Sequence, residues 1–345
     1  MTKKIFVALS GGVDSSVAAL KLKEQGYELT GVHMQTGYTT EEDRSSVVAI
    51  GELLEIPIKF YDVRKEFDED VLNYFIKEYT AGRTPNPCVV CNKKIKFGKL
   101  LDLCFKDGAD YIATGHYVQK GDDDLLLRGK DKRKDQSYFL YSISSPVLSK
   151  CFFPLGNYLK DEVRTIALKS GLPTSSRKES QDICFMKNEN YITLLGSYIK
   201  NMKGDIIDID SGDKVGEHNG YWRYTIGQRK GLRVGGAAKP YFVAKIHPKD
   251  NVVYVCMGKE HDELYSRKIY VEKLNLINPK YEMSDNLSAS IRYNHNPQPG
   301  ELIIKQENKI YFEFEEPQRA VTLGQSLVVY DGRVCIGGGI IRDSQ

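Results

Sequence analysis

The sequence predicts an α/β half built on a doubly wound parallel sheet, followed by two small β-barrels. Three observations carry this. From Ile5 to about Ala113, apolar runs of strand length alternate with helical stretches. After about Tyr198 no long helical period remains, and short β-rich runs recur between Gly, Asn-Pro and Asp-Gly punctuation. The first apolar run, Ile5 to Leu9, ends at Ser10-Gly11-Gly12-Val13-Asp14-Ser15-Ser16, where a helical pattern begins. The expected domains are 1–198, 199–262 and 263–345, with the second joint near Lys259 to Ser266.

A strand that stops at paired glycines and enters a helix turns its backbone N–H groups toward the positive end of the helix dipole, an anion site. Gly11 and Gly12 admit close approach of a phosphate, Ser10, Ser15 and Ser16 add hydroxyls, and Asp14 is placed to orient a magnesium ion or cap the helix. No P-loop lysine follows. Further on, Glu28 to Met34 predicts a strand, Glu41 to Leu54 a helix, Ile58 to Tyr61 a strand and Arg64 to Tyr79 a long helix. Ligands of such a sheet sit beyond the carboxyl ends of the strands, where Ser10 and Met34 fall.

Gly82 to Asn92 (GRTPNPCVVCN) holds two prolines and a Cys-x-x-Cys, so a rigid loop is expected rather than a regular helix or central strand. Lys93, Lys94, Lys96 and Lys99 follow, and positive charge beside sulfur lowers thiol pKa. Reactive sulfur, a redox pair, a metal site and two buried cysteines all stay open, although a zinc site lacks two further ligands. Tyr111 to Thr114 reads as a buried strand ending at Gly115-His116. Arg128, Lys130, Lys132, Arg133 and Lys134 form a basic run suited to a solvated loop or to phosphates. Lys160 to Ser170 is an amphipathic helix stopped by Gly171 and Pro173. Cys184, between Ile183 and Phe185, reads by itself as a core cysteine.

In the β half, strands are expected at Tyr241 to Ile246, Val252 to Val255, Ile269 to Val271, Leu287 to Tyr293, Ile310 to Phe314 and Ser326 to Tyr330. Arg223, Arg229, Lys230 and Arg233 with Trp222 and Tyr224 offer charge beside stacking surface, and Arg292-Tyr293 repeats the pairing. A formal net charge of +3, from 49 basic and 46 acidic residues, neither demands nor excludes a nucleic-acid partner. Met1-Thr2-Lys3-Lys4 leads straight into the first strand, and no apolar run of about 18 residues occurs, so a cytoplasmic protein without membrane contact is expected. Seven irregularly spaced cysteines suit chemistry or burial better than a disulfide framework.

The heptapeptide from Ser10 to Ser16 resembles the SGGxDS motif of the PP-loop ATP pyrophosphatases, whose adenine nucleotide alpha hydrolase-like fold cleaves ATP between the α- and β-phosphates. GRTPNPCVVCNKKIKFG is similar to the signature of the tRNA-uridine 2-sulfurtransferases, the 2-thiouridylases. Thr114 to Tyr117, Lys134 to Leu140, Phe153 to Gly156, Ser180 to Phe185, Tyr224 to Leu232 and Gly324 to Ser326 match that family in the same order, from Ile5 to about Gly339.

The resemblance implies ATP over Ala8, Leu9, Ser10, Gly11, Gly12, Val13, Asp14 and Ser15, with Met34 and Gly115 beside the adenosine and Mg²⁺ on the phosphates. It implies catalytic Cys184, carrying a persulfide loaded by a sulfur-donor protein, and catalytic Cys91. Asn86, Pro87 and Cys88 would contact the flipped wobble uridine, and His116, Lys134, Asp135, Gln136, Arg292, Tyr293 and Gln325 the tRNA. The reaction implied is adenylylation of the uridine C2 oxygen, then sulfur transfer. A [4Fe–4S] cluster on Cys88, Cys91 and Cys184 is a rival route to the same product, and a small-molecule PP-loop synthetase a rival activity. Two departures stand out. Some relatives carry aspartate at the Cys88 position, and Gln35 to Asp43 is shorter than usual and lacks tryptophan and cysteine.

Overall fold

A computed structural model describes residues 3–177, 183–186, 191–235, 238–305 and 310–345. Ser180, Gln181 and Asp182 of the cysteine motif therefore lie outside the described residues. Five strands, β1 (Lys4–Ala8), β2 (Glu28–Gln35), β3 (Ile58–Asp62), β4 (Tyr111–Ala113) and β7 (Cys151–Phe152), make a parallel sheet in the order β3-β2-β1-β4-β7. The two-residue period of β1 divides it between two cores. Ile5, Val7 and Leu9 meet Val17 and Leu22 of α1 (Val13–Glu24), Ile50 of α2 (Glu41–Leu54) and Val163 of α9 (Lys160–Lys169). Phe6 joins the opposite core with Leu101 and Cys104 of α6 (Leu101–Lys106). The strand order reverses between β1 and β4, so the turns leaving those two strands diverge and open a crevice.

Two expectations about helices change. Arg64 to Thr80 is helical throughout, but a π-helical stretch at Asp68–Leu72 separates α3 (Arg64–Phe67) from α4 (Asn73–Thr80). The proline-rich loop becomes a helix at its second proline: α5 (Pro87–Cys91) runs into a π-helical stretch, Asn92–Leu100, and then α6. Pro87 stands in the first turn, where a missing N–H costs nothing and a fixed φ favours the helix. Both π-helical stretches border the site described below, where such insertions are frequent.

The central unit has β8 (Gly204–Asp208), β9 (Lys214–His218), β10 (Tyr241–His247) and β11 (Val252–Met257) in the order β10-β11-β8-β9. Its Trp222 and Tyr224 are buried, Trp222 among Phe75, Tyr79 and Leu195 of the first unit, which removes both rings as stacking surface; Arg229, Lys230 and Arg233 are exposed.

In the last unit β12 (Tyr265–Val271) pairs with both β16 (Ile310–Arg319) and β18 (Val334–Ser344). With β14 (Leu287–Ser290), β15 (Gln298–Ile304) and β17 (Ser326–Asp331) between them, the ladder closes into a barrel. The strand expected to reach Tyr293 stops at Ser290. A hairpin from the first unit, β5 (Val118–Lys120) and β6 (Leu126–Arg128), adds to β18, and Val328, Tyr330 and Cys335 of the barrel share the core of Phe6 and Leu101. The barrel is thus packed on the sheet through a continuous apolar core.

Candidate active site

The turn after β1 is the first wall of the crevice. Gly11 takes φ +78°, a region an L side chain rarely adopts, and a Cβ there would meet Arg177 Nη1 and the Asp43 carbonyl oxygen at 3.0 Å. The N-cap of α1 is Gly12, without a side-chain cap. Ser15 and Ser16 hydroxyls donate to the Gly12 carbonyl at 3.1 and 2.8 Å, which braces the turn from inside. Asp14 does not cap the helix as expected. Its carboxylate accepts two bonds from Lys160 Nζ, 2.6 and 2.7 Å, and one from the Tyr117 hydroxyl at 2.6 Å.

Gly115, after β4, closes on this turn from the other side. A Cβ there would fall 2.9 Å from the Asp14 carbonyl carbon and the Ser15 nitrogen. Only glycine lets the two turns touch.

Lys160 was not among the residues singled out from sequence, although a signal existed. It is the first residue of α9, where the helix dipole disfavours a cation, and it is 5% exposed. A buried lysine at a helix N-terminus needs a partner, and Asp14 is that partner across 146 residues. Arg177 was missed too. It donates to the Gly11 carbonyl at 2.6 Å and pairs with Glu42 at 2.7 Å.

A cavity of about 370 Å³ begins at this turn and reaches the cysteines. Ala8, Leu9, Ser10, Asp14 and Ser15 line one end, with Met34 and Gly115 beside them. Pro87, Cys88 and Cys91 of α5 and Cys184 line the other, with His116, Gln136 and Lys96 between. Residues far apart in sequence therefore share one chamber, of a size suited to a small ligand. Of the remaining expected residues, Gly11, Gly12, Val13, Asn86, Lys134, Asp135, Arg292, Tyr293 and Gln325 do not line it.

The thiols are not activated in the way the lysine run suggests. Burial pushes Cys88 up to about 11, with Cys184 adding to the rise and Lys96 opposing it. Burial likewise pushes Cys91 up to about 12 against Lys96. Lys93 and Lys94 point to solvent and Lys99 pairs with Glu66 at 2.5 Å, so one lysine of the four lines the cavity. Desolvation outweighs that single cation, and both sulfurs rest as thiols. His116 is buried, shares a 2.7 Å hydrogen bond with Thr114, and is held well below the usual histidine range by burial and by Lys96, so it stays neutral.

The basic run is largely spent internally. Asp135, 8% exposed, receives Arg128 Nε at 2.7 Å, the Gly129 N–H and both donors of Ser137. Arg133 pairs with Asp131, and Lys130 with Glu162. Gln136 accepts from the Tyr117 N–H, and Tyr293 packs 4.4 Å from the Phe139 ring. Arg292 is exposed. Among the described residues, no three His, Cys, Asp or Glu side chains lie close enough to hold a metal ion. Cys88, Cys91 and Cys184 share the cavity without forming such a group, so the residues as placed do not fit an iron–sulfur cluster.

A reversed strand order with a glycine turn at its switch point defines a doubly wound α/β domain of the class that receives its ligand beyond the carboxyl ends of the strands. Family models match residues 3–188 as a tRNA methyl transferase HUP domain, 192–257 as a tRNA methyl transferase PRC-barrel domain and 266–341 as an aminomethyltransferase beta-barrel domain. Proteins named tRNA-specific 2-thiouridylase MnmA from Oceanobacillus iheyensis and Alkaliphilus oremlandii are 44% and 43% identical, each over 98% of this chain and over 94% and 96% of their own. That from Staphylococcus carnosus is 42% identical over 99% of this chain and 95% of its own. The chain belongs to the tRNA-specific 2-thiouridylase family.

Proposed function

We propose that this chain is an ATP-dependent tRNA-uridine 2-sulfurtransferase acting on the wobble uridine. One observation carries the reading: Ser10, Asp14 and Ser15 of the turn after β1 line a single cavity with Cys88, Cys91 and Cys184. The family models name a methyl transferase, but a phosphate-binding turn joined to thiols suits activation and sulfur transfer better than methyl transfer.

In this reading, ATP arrives with Mg²⁺ on its phosphates, so the metal is part of the substrate. That suits a chamber whose Asp14 is already paired to Lys160. The nucleotide lies over Ala8 to Ser15, between Met34 and Gly115. The uridine O2 attacks the α-phosphorus and pyrophosphate leaves, its charge met by the N–H groups of the turn that Lys160 braces through Asp14. The terminal sulfur of a Cys184 persulfide, loaded by a donor protein, attacks C2 and AMP leaves. Cys91, deprotonated, then attacks Cys184 Sγ. The S–S bond breaks, its electron pair stays with the sulfur on C2, and a Cys91–Cys184 disulfide remains for an external thiol to reduce.

Cys88 and Pro87 line the space for the base, with Asn86 just before them, and neutral His116 offers a hydrogen-bonding wall without charge. Exposed Arg292, with Arg229, Lys230 and Arg233, provides cations for the tRNA backbone. Lys134, Asp135, Gln136, Tyr293 and Gln325 would shape that surface, Asp135 from within. Among the described residues no helix is long and apolar enough to cross a membrane.

The test is thiolation of unmodified tRNA with Mg-ATP and a persulfide donor, scored as 2-thiouridine. Cys91→Ser and Cys184→Ser should each abolish the product while pyrophosphate is still released. Product formation by either variant at the wild-type rate would overturn that cysteine's role, and no product from the wild type would overturn the activity.

A further inference from the structure

The loop between α4 and α5 is gripped from both other units. The Thr84 N–H donates to the Leu323 carbonyl and its own carbonyl accepts from Gln325 Nε2, both at 2.9 Å, while its hydroxyl meets that of Thr225 at 3.1 Å. A Cβ on Gly324 would lie 3.1 Å from the Thr84 carbonyl carbon. Beneath the loop lies Glu78, 3% exposed. It receives Arg83 of the loop at 2.7 and 2.8 Å and Arg342 of β18 at 2.6 Å; Arg342 also donates to Glu272 at 2.8 Å. Burial opposes charge on Glu78, yet the two guanidiniums outweigh it and hold the carboxyl below the usual range.

A buried ionic triad is a poor source of stability compared with apolar packing, but its geometry admits few alternatives. Asn86 and Pro87 follow within four residues of Arg83 and Arg342 lies in the barrel wall, so the triad ties the start of α5 to the barrel. We propose that Glu78, Arg83 and Arg342 are positioning residues for the sulfur-transfer step: through them the C-terminal barrel sets where Cys88 and Cys91 stand in the cavity. This rests on the reading of Cys91 as the resolving thiol. The adenylylation end of the cavity is built by β1, β4 and α9 and takes no part in the junction.

The experiment is a single turnover with full-length protein, unmodified tRNA, Mg-ATP and a persulfide donor, following pyrophosphate and 2-thiouridine separately. For Arg342→Ala, 2-thiouridine formation should slow about tenfold, the scale on which a small misplacement acts, and pyrophosphate release by clearly less, because the base rests on the same stretch as Cys91 while the nucleotide turn does not. Arg342→Lys should recover part of the second step. Glu78→Gln, which keeps the shape and removes the charge, should separate the two steps in the same way. Parallel slowing of both steps, or no change in either, would overturn the positioning role. The control is Cys91→Ser: if that variant makes 2-thiouridine at the wild-type rate, the resolving-thiol reading falls, and the inference with it. If Cys91→Ser is inactive while Arg342→Ala slows both steps alike, only the positioning role fails.

Discussion

The two ends of the cavity are built on opposite principles. At the nucleotide end, charge is compensated: buried Lys160 and half-buried Asp14 face each other at 2.6 Å, beside a glycine turn that offers its backbone. At the thiol end burial outweighs charge: Cys91 packs among Phe67, Val71 and Phe185, and desolvation keeps it and Cys88 protonated against the one cation nearby, Lys96. The first arrangement is prepared for a polyanion before one arrives. The second stays inert until something changes the surroundings of its sulfurs, which keeps a thiolate away from a bound, activatable nucleotide. Readiness at one end and restraint at the other let one chamber hold two incompatible reagents.

The largest effect is expected from removing the cation behind the turn. Lys160→Ala leaves Asp14 without that partner and lets the turn shift, and should cut pyrophosphate release on the order of 10²-fold. The alkylation rate of Cys91 should not change. A variant that alters alkylation as much as adenylylation would show that the two ends are not separately built.

Gly115→Ala comes next. Its Cβ would press on Asp14 and Ser15 at 2.9 Å, so the start of α1 must move. A rise of about tenfold in KM for ATP is expected, with little change in melting temperature, and an unaltered KM would remove Gly115 from the site.

How far the sequence alone could foresee this follows the same divide. The nucleotide turn is a local object, a strand, two glycines and a helix within twenty residues, and its anion-binding geometry follows from backbone chemistry. Its supporting lysine was not foreseen, because a contact spanning 146 residues has no local pattern beyond an ill-placed cation. The thiol end is non-local throughout. The helix from Pro87 replaces an expected loop because Pro at a first turn promotes what it forbids elsewhere. Thiol pKa values were misjudged because charge is visible in sequence and burial is not. Trp222 and Tyr224 looked like surface beside arginines, but Trp222 closes the seam between two units and Tyr224 packs into the central unit's own core. The hairpin from Val118 to Arg128 could not be assigned to a distant barrel from its own residues, since its partner is β18.

The smallest effect sharpens the account of the restrained end. With Cys91 pushed up to about 12, its thiolate is a minor species at neutral pH, and the fraction grows about tenfold for each pH unit below that value. Iodoacetamide labelling of Cys91, read by mass spectrometry, should follow that slope from about pH 7 to 9, with no plateau near an ordinary thiol's range. Lys96 is the cation that opposes the rise, so Lys96→Met should slow labelling at pH 8 by a few-fold, keeping the slope. A plateau below about pH 8.5 in the wild type would mean a cation, not burial, governs the sulfur, and the contrast between the two ends would collapse. If instead the slope holds in free protein and flattens once tRNA and Mg-ATP are bound, binding moves a cation toward the sulfur, since the polyanions themselves would disfavour a thiolate.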